Sequence, residues 1–552
     1  MNQSFLAFAV LLSPLVFVLT AVTSWFQNGI HPSLVKKVAT ASTVVSILIA
    51  ALSGFFVANY GALESPLIGI DQLGLSVRLD ALSILMLAMI ALIGFVVVRF
   101  SMNYLDGDAH HGAFIGRLAA TIASVQLLVI SGNLALLFVS WVLTSMSLHR
   151  LLVFYKDRPG AIIAARKKYI VARIGDACLL AAFTLLYIQF NTGNLEVIFQ
   201  EIQANLASGS SLLALEAVAV LLVLAALLKS AQFPTHGWLV EVMETPTPVS
   251  ALLHAGLLNA GPFLIVRMAF VLEASTYAPL ILISVGGFTA LFASVVFLTQ
   301  TSVKTALGYS SVAHMGFSLM TCGLGLYPAA MLHLVAHSFY KAHSFLSSGS
   351  VIEVIRASKV TSSTRIGSPF RIALGILLAL GLYAAFALAW GIDPQKELAL
   401  LALGAVIIMG LSRLFTTAID SNGSLKLMSQ ASLLSVLVTA AFFTLESGSH
   451  FLLSSQIPEL AIPNLLEIIL ISILLLAFGV TVFLQIIAPN LSAKPSYQAM
   501  AIHLKNGLYA NAIFDRMVRA LYSHKYEIKS VLTAELSEQK NMRVYSPEKQ
   551  PA

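Results

Sequence analysis

Charge is scarce in this chain. Only 10% of its 552 residues are Asp, Glu, Lys or Arg, against about 25% in an ordinary soluble globule, and that excludes a soluble fold. Cysteine is nearly absent. Cys178 and Cys322 are the only two, and both sit inside apolar runs, which excludes a disulfide framework and a cysteine metal site. A phosphate-binding glycine loop, a dinucleotide fingerprint and a nucleophile elbow are also missing. No covalent chemistry and no cofactor are therefore expected of the chain itself. No small-residue cleavage pattern follows the first apolar run, 5–26, so it reads as a span and not as a secretory signal.

What is present is apolar: 58% of the residues. A membrane crossing needs about 20 mostly apolar residues. On that measure the chain reads as an all-α polytopic membrane protein with about fifteen transmembrane helices. The runs are 5–26, 38–57, 79–98, 114–130, 134–154, 169–187, 212–228, 249–271, 277–298, 306–326, 329–355, 372–390, 398–415, 427–445 and 465–487. The net charge of +7 points to basic loops and not to nucleic acid. Lys36 and Lys37, Arg99 and Arg117, the group His149, Arg150, Lys156, Arg158, Arg166, Lys167 and Lys168, and the group Arg356, Lys359, Arg365 and Arg371 all fall on one side. Glu64, Asp71, Glu196, Glu201 and Glu459 fall on the other. The positive-inside rule then puts the N-terminus outside and the C-terminus in the cytoplasm. Residues 491–552 form a basic tail, with Lys494, Lys505, Arg516, Arg519, Lys525 and Lys529. Helical spacing over 497–522 predicts an amphipathic segment along the membrane surface, and 538–552 reads as disordered.

A few ionisable groups interrupt the apolar runs. The seventh run has only about a dozen apolar residues between Glu216 and Lys229, roughly 18 Å of helix, and Pro234, Gly237, Pro246 and Pro248 follow. A short hydrophobic segment broken by Pro and Gly is the sequence pointer to a discontinuous helix with an ion site at the break. The plainer reading is an ordinary span whose Lys229 snorkels to the interface. In the eleventh run His333, His337 and Lys341 are spaced four apart. On a helix they share one face and line about 12 Å of it. Imidazole and a desolvated lysine both exchange protons near neutral pH, so the three make a proton ladder; otherwise neighbouring helices simply satisfy them. A metal site there is disfavoured, since no carboxylate or cysteine shares the face. His254 follows the break as a relay or a core residue. Arg173 and Asp176 form an i,i+3 pair, structural or tuning a neighbouring lysine. Glu241 and Glu244 either pair with Lys229 or face solvent, and Asp80 is equally open.

Four blocks carry a family resemblance: residues 170–187, 229–256, 303–320 (which opens on Val303 and the pathway candidate Lys304) and 333–352. They resemble the proton-translocating antiporter-like superfamily, which includes the large membrane-arm subunits of respiratory complex I and the Mrp cation/proton antiporters. The resemblance implies two inverted five-helix repeats with broken helices. Residues 111–420 would form that core (its second repeat diverged), 1–110 would supply N-terminal spans and 421–490 C-terminal ones. It implies that Lys229 is the central lysine of the first broken helix. Lys341 and His337 would lie on the polar axis joining the half-channels, bridged by His254.

Two departures stand out. The superfamily places a glutamate after the tryptophan of the fifth span, where this chain has Val142. Beyond residue 355 the resemblance fades: the twelfth run has no clear lysine, Arg413 is the basic residue of the thirteenth, and no long lateral helix is evident. The run 140–176 resembles instead the DabB family, membrane subunits of the Dab complexes that accumulate inorganic carbon in bacteria. That resemblance implies an inner-membrane subunit passing protons or sodium. It also implies a zinc-containing DabA partner, similar to a β-carbonic anhydrase, that converts carbon dioxide to bicarbonate. An Mrp-like antiporter, a complex I-type pumping subunit and a purely structural scaffold are the alternatives.

Overall fold

A computed structural model describes residues 7–155, 157–208, 213–349, 369–420, 425–491 and 494–520. Each of the fifteen apolar runs contains a helix. The first five are α1 (Leu12–Phe26), α2 (Ser33–Tyr60), α3 (Ala81–Tyr104), α4 (His111–Val129) and α5 (Leu134–Leu152). Next come α6 (Pro159–Phe190), the shorter α7 (Leu195–Ala207) and α8 (Leu213–Lys229). The short α9 (Gly237–Glu241) leads to α10 (Thr247–Leu252), a π turn (Leu253–Leu257), α11 (Ala260–Arg267) and α12 (Ala269–Glu273). Then follow α13 (Tyr277–Phe297), α14 (Val303–Gly323), α15 (Tyr327–Leu346), α16 (Pro369–Trp390), α17 (Leu398–Asp420), α18 (Leu425–Leu453) and α19 (Leu465–Leu491). Eleven helices among the described residues are long and apolar enough to cross a membrane. The segment Thr247–Arg267 is wholly enclosed by the others and forms the centre of the bundle.

Helices in lipid gain little from burying apolar surface against each other, so close backbone approach and polar knots hold them together. At the α13–α14 crossing a Cβ on Gly286 would lie 2.7 Å from the Gly316 carbonyl oxygen, so only glycine fits. Between α1, α2 and α4, the Ser13 and Ser46 hydroxyls lie 2.7 Å apart and Gln126 Nε2 donates to Ser46 Oγ at 2.8 Å. Two apolar cores result: a large one over α1 to α15, and a smaller one of α16 to α19 against α14 and α15.

Between α2 and α3 the chain makes two nested antiparallel pairs: β1 (Leu63–Glu64) with β4 (Arg78–Leu79), and β2 (Ile68–Ile70) with β3 (Leu73–Leu75). A buried ion network fixes this end. Asp80 caps α3 by accepting from Ser83 N at 2.8 Å, Arg78 Nε donates to it at 2.7 Å, and Arg267 pairs with it through two nitrogens. Arg78 also meets Glu196 of α7 at 2.5 Å and Glu64 at 3.5 Å. Asp80 is therefore structural. Burial pushes its carboxyl up, but Arg267 and Arg78 outweigh that and hold it well below the usual carboxylate range.

One expectation needs correction. Helix α6 begins at Pro159, not at 169, so Lys167 and Lys168 belong to the helix and not to the basic loop. They are 0% and 5% exposed. Through residue 520 the tail is helical and exposes Ile502, Ile513 and Met517. Helix α20 (Pro495–Lys505) is followed by a kink at Leu508 and a helical stretch 510–520. That stretch docks onto the bundle, where Lys167 Nζ binds Asp515, Asn511 Oδ1 (2.8 Å) and Glu241 Oε2 (2.6 Å), and Asn511 Nδ2 donates to Glu241 Oε1 at 2.6 Å. Lys156, Arg356, Lys359, Arg365, Lys525, Lys529 and the 538–552 segment lie outside the described residues.

Candidate functional site

The break falls where the prolines placed it. Helix α8 stops at Lys229, and residues 230–236 turn, with Ala231 at φ 51°, before α9 begins. Lys229 is thus the last residue of a helix, where the partial negative charge of the carbonyl end favours a cation. Its ammonium is held by three neutral acceptors on one face of α5. Nζ donates to Ser145 Oγ at 2.8 Å, Thr144 Oγ1 at 2.9 Å and the Trp141 carbonyl at 3.1 Å, and it lies 4.2 Å from the Trp141 ring centre. These positions recur at i, i+3 and i+4, which puts them on one side of the helix. Val142 points elsewhere in the helical rotation and supplies no charge. The acid whose field acts on Lys229 is Asp176, itself bound to Arg173 at 2.6 Å.

Glu241 and Glu244 do not pair with Lys229. Glu241 belongs to the Lys167 cluster, while Glu244 accepts from Ala161 N at 3.1 Å and its carbonyl from Arg158. Lys304 stands at the start of α14, 3.5 Å from Thr247 Oγ1, at the mouth of the enclosed segment.

The second half of the site sits on α14, α15 and the π turn. His333, His337 and Lys341 share one face of α15 as their spacing predicts, and Lys341 Nζ donates to the Leu307 carbonyl at 3.2 Å. His314 of α14 joins them, and sequence reading missed it. Its Nδ1 lies 3.2 Å from His333 Nε2, and its ring is 4.8 Å from that of His337. His314 therefore spans the 6.1 Å between the two ladder imidazoles. A cavity with mainly apolar walls, including Phe297, Phe317 and Phe478, opens beside it, and Ser294, Ser310, His314, His333 and Gln485 are its polar lining. His254 lies in the π turn, a distortion frequent at functional sites. Its ring stacks on Phe345 at 4.3 Å, and both ring nitrogens are buried with no hydrogen-bond partner among the described residues. Also missed were Trp141, Thr144, Ser145, Lys167 and Lys168. The polar stretch 140–147 inside an apolar run was the available signal.

Comparison with known proteins gives the family of the chain. Residues 131–392 match the family described as NADH:quinone oxidoreductase/Mrp antiporter, transmembrane region. Residues 68–115 match the N-terminus of complex I chain 5. A probable inorganic carbon transporter subunit DabB2 of Halothiobacillus neapolitanus is 37% identical over 461 residues, covering 83% of this chain and 82% of its own length. This chain belongs to the DabB family. A second member, from Hydrogenovibrio crunogenus, is 44% identical over 267 residues, 48% of this chain and 51% of its own. The NADH-quinone oxidoreductase subunit L of Mycobacterium tuberculosis is 33% identical over 49% of this chain and 42% of its own. Among solved structures, a chain of the Mrp complex from Dietzia superposes with a TM-score of 0.59 at 21% identity, covering 99% of this chain and 64% of that one. A chain of an archaeal membrane-bound sulfane sulfur reductase gives 0.56 at 18% identity, covering 93% of this chain and 100% of that one. These two share the fold. The DabB-type chain is thus an antiporter-like, multi-pass membrane subunit.

Proposed function

We propose that this chain is the cation-conducting subunit of an inorganic-carbon-accumulating complex. It passes protons, or sodium, down their gradient and so energises a zinc-containing, carbonic-anhydrase-like partner of the DabA type. The observation that carries the reading is the Lys229 site: a lysine at a helix break, in a membrane bundle, held only by neutral acceptors. Such a group is costly unless it lines an ion path. As an ammonium, Lys229 donates to Trp141, Thr144 and Ser145. As an amine it offers a lone pair to the next proton, and the two hydroxyls rotate to donate in return. From the break the path runs by His254 to Lys341, then along His337, His314 and His333. The basic loops and the docked tail face the cytoplasm, the end where the partner binds, and the N-terminus lies outside in the inner membrane of a bacterium.

The membrane complex, purified with whatever it carries, tests this. A zinc protein is expected to co-purify, bicarbonate accumulation is expected to need both chains, and an uncoupler is expected to abolish it. Lys229→Ala is expected to lose at least tenfold in uptake while the complex still assembles. Uptake by this chain alone, insensitive to uncouplers, would overturn the proposal. Sodium/proton exchange by the purified chain in liposomes would assign it instead to antiport.

A further inference from the structure

We propose that Lys168 is a second proton-holding residue, paired with Lys229 through Ser145. The inference rests on the ion-path reading above and adds a station to it.

Lys168 lies in the buried part of α6, one residue beyond the tail-binding Lys167. Its Nζ donates to the Ser145 carbonyl oxygen at 2.7 Å. The Oγ of the same Ser145 accepts from Lys229 at 2.8 Å. One residue of α5 therefore holds two lysine side chains, one from each flanking helix. The ionisable groups facing them are few. Helix α6 contributes Arg173 and Asp176, already bound to each other at 2.6 Å. Helix α5 contributes His149, one turn beyond Ser145, with its ring 5.6 Å from that of Tyr169. Helix α8 contributes Lys229 itself. Arg173 keeps its charge at any physiological pH. With both lysines protonated the cluster holds three cations against one carboxylate, with Lys168 and Asp176 buried and Lys229 and Arg173 half-buried, and like charges that close repel. Two protons are therefore not held at once with ease: loading one lysine loosens the proton on the other.

The transfer balances simply. An N–H bond at the Lys168 ammonium breaks, and the lone pair of the Lys229 amine takes the proton, leaving a neutral Lys168 and a charged Lys229. His149, nearer the end of α5 that carries the basic loop, reloads Lys168. The site is thus switched by a competing cation, and Val142 supplies no charge to it.

The test uses the intact complex in membranes, with bicarbonate accumulation followed against pH. Lys168→Met is expected to lose about tenfold or more, and its residual activity is expected to titrate at higher pH than wild type, because a repelling charge beside Lys229 is gone. Lys168→Arg keeps the charge and the donor but releases no proton, so it is expected to fail as fully. A purely structural lysine gives the reverse, with Arg active. Wild-type rates in Lys168→Arg, or an unchanged pH profile in Lys168→Met, would overturn the inference. Should either variant fail to assemble, Lys168→Gln carries the same expected displacement in pH. Lys229→Ala runs beside them: if it keeps uptake, the ion-path reading falls; if it loses uptake while the Lys168 variants match wild type, only the pairing falls.

Discussion

The two histidine rungs of α15 are not equivalent. His337 is buried and faces both His314 and the next rung, Lys341, whereas His333 is half-buried and already bound to His314 at 3.2 Å. His337→Ala is expected to slow carbon uptake about tenfold or more, the scale on which positioned proton-transfer groups act. His333→Ala is expected to cost less, since His314 remains to reach the cavity. Equal, wild-type rates in both would remove the ladder from the path. At this scale the sequence was partly legible. A charged or titratable side chain inside an apolar run declares itself, which is why Lys229, Lys341, His333 and His337 could be named. Their partners were not named, because Thr144, Ser145 and His314 come from other helices and the sequence does not say which helices meet, although His314 stands inside the apolar run 306–326 as plainly as the others. Lys167 and Lys168 were hidden for another reason. They abut a basic loop, and a helix that starts ten residues earlier than its apolar part turns loop charges into buried ones.

Among the elements, the hairpin is tied to the bundle by a buried ion network. Removing one partner of a buried pair leaves an uncompensated charge and costs about 3–5 kcal/mol. Asp80→Asn is therefore expected to lower the melting temperature of the detergent-purified protein markedly. The pH dependence has a definite sign. Asp80 titrates lower in the folded chain than in the unfolded one, so its contribution is complete above the ordinary carboxylate value of about 3.9 and is lost as pH falls through the folded value. Wild type is expected to lose stability on acidification more steeply than Asp80→Asn, followed by tryptophan fluorescence. An identical acid profile in the two proteins would show that Arg78 and Arg267 find other partners. Apolar length made the spanning helices readable. The hairpin and the placing of α7 were not, because they rest on contacts between elements far apart in the chain, such as Arg267 with Asp80 and Arg78 with Glu196.

For the whole molecule, the enclosed segment Thr247–Arg267 divides the bundle into a lysine half on α5, α6 and α8 and a histidine half on α14 and α15. The tail, docked by Asp515 and Asn511 on Lys167, sits against the first half and one residue from Lys168. A partner that grips the tail therefore acts within reach of the lysine site, by way of α6.

The neutral cradle of Lys229 has one more consequence. A lysine bound to a carboxylate and then separated from it moves charge over a short local distance. In the proposed ion path, a lysine held by a carbonyl and two hydroxyls, with Asp176 already taken by Arg173, becomes net positive each time it loads, part-way across an insulating layer. Loading is then sensitive to voltage as well as to pH. A full crossing is worth about 2.3 kcal/mol per 100 mV for one charge, and a site part-way across takes a share of it. In proteoliposomes carrying the complex, a potassium diffusion potential imposed at equal pH on both sides is expected to drive bicarbonate formation by itself. A complex that responds only to a pH step would place a hidden counter-ion beside Lys229.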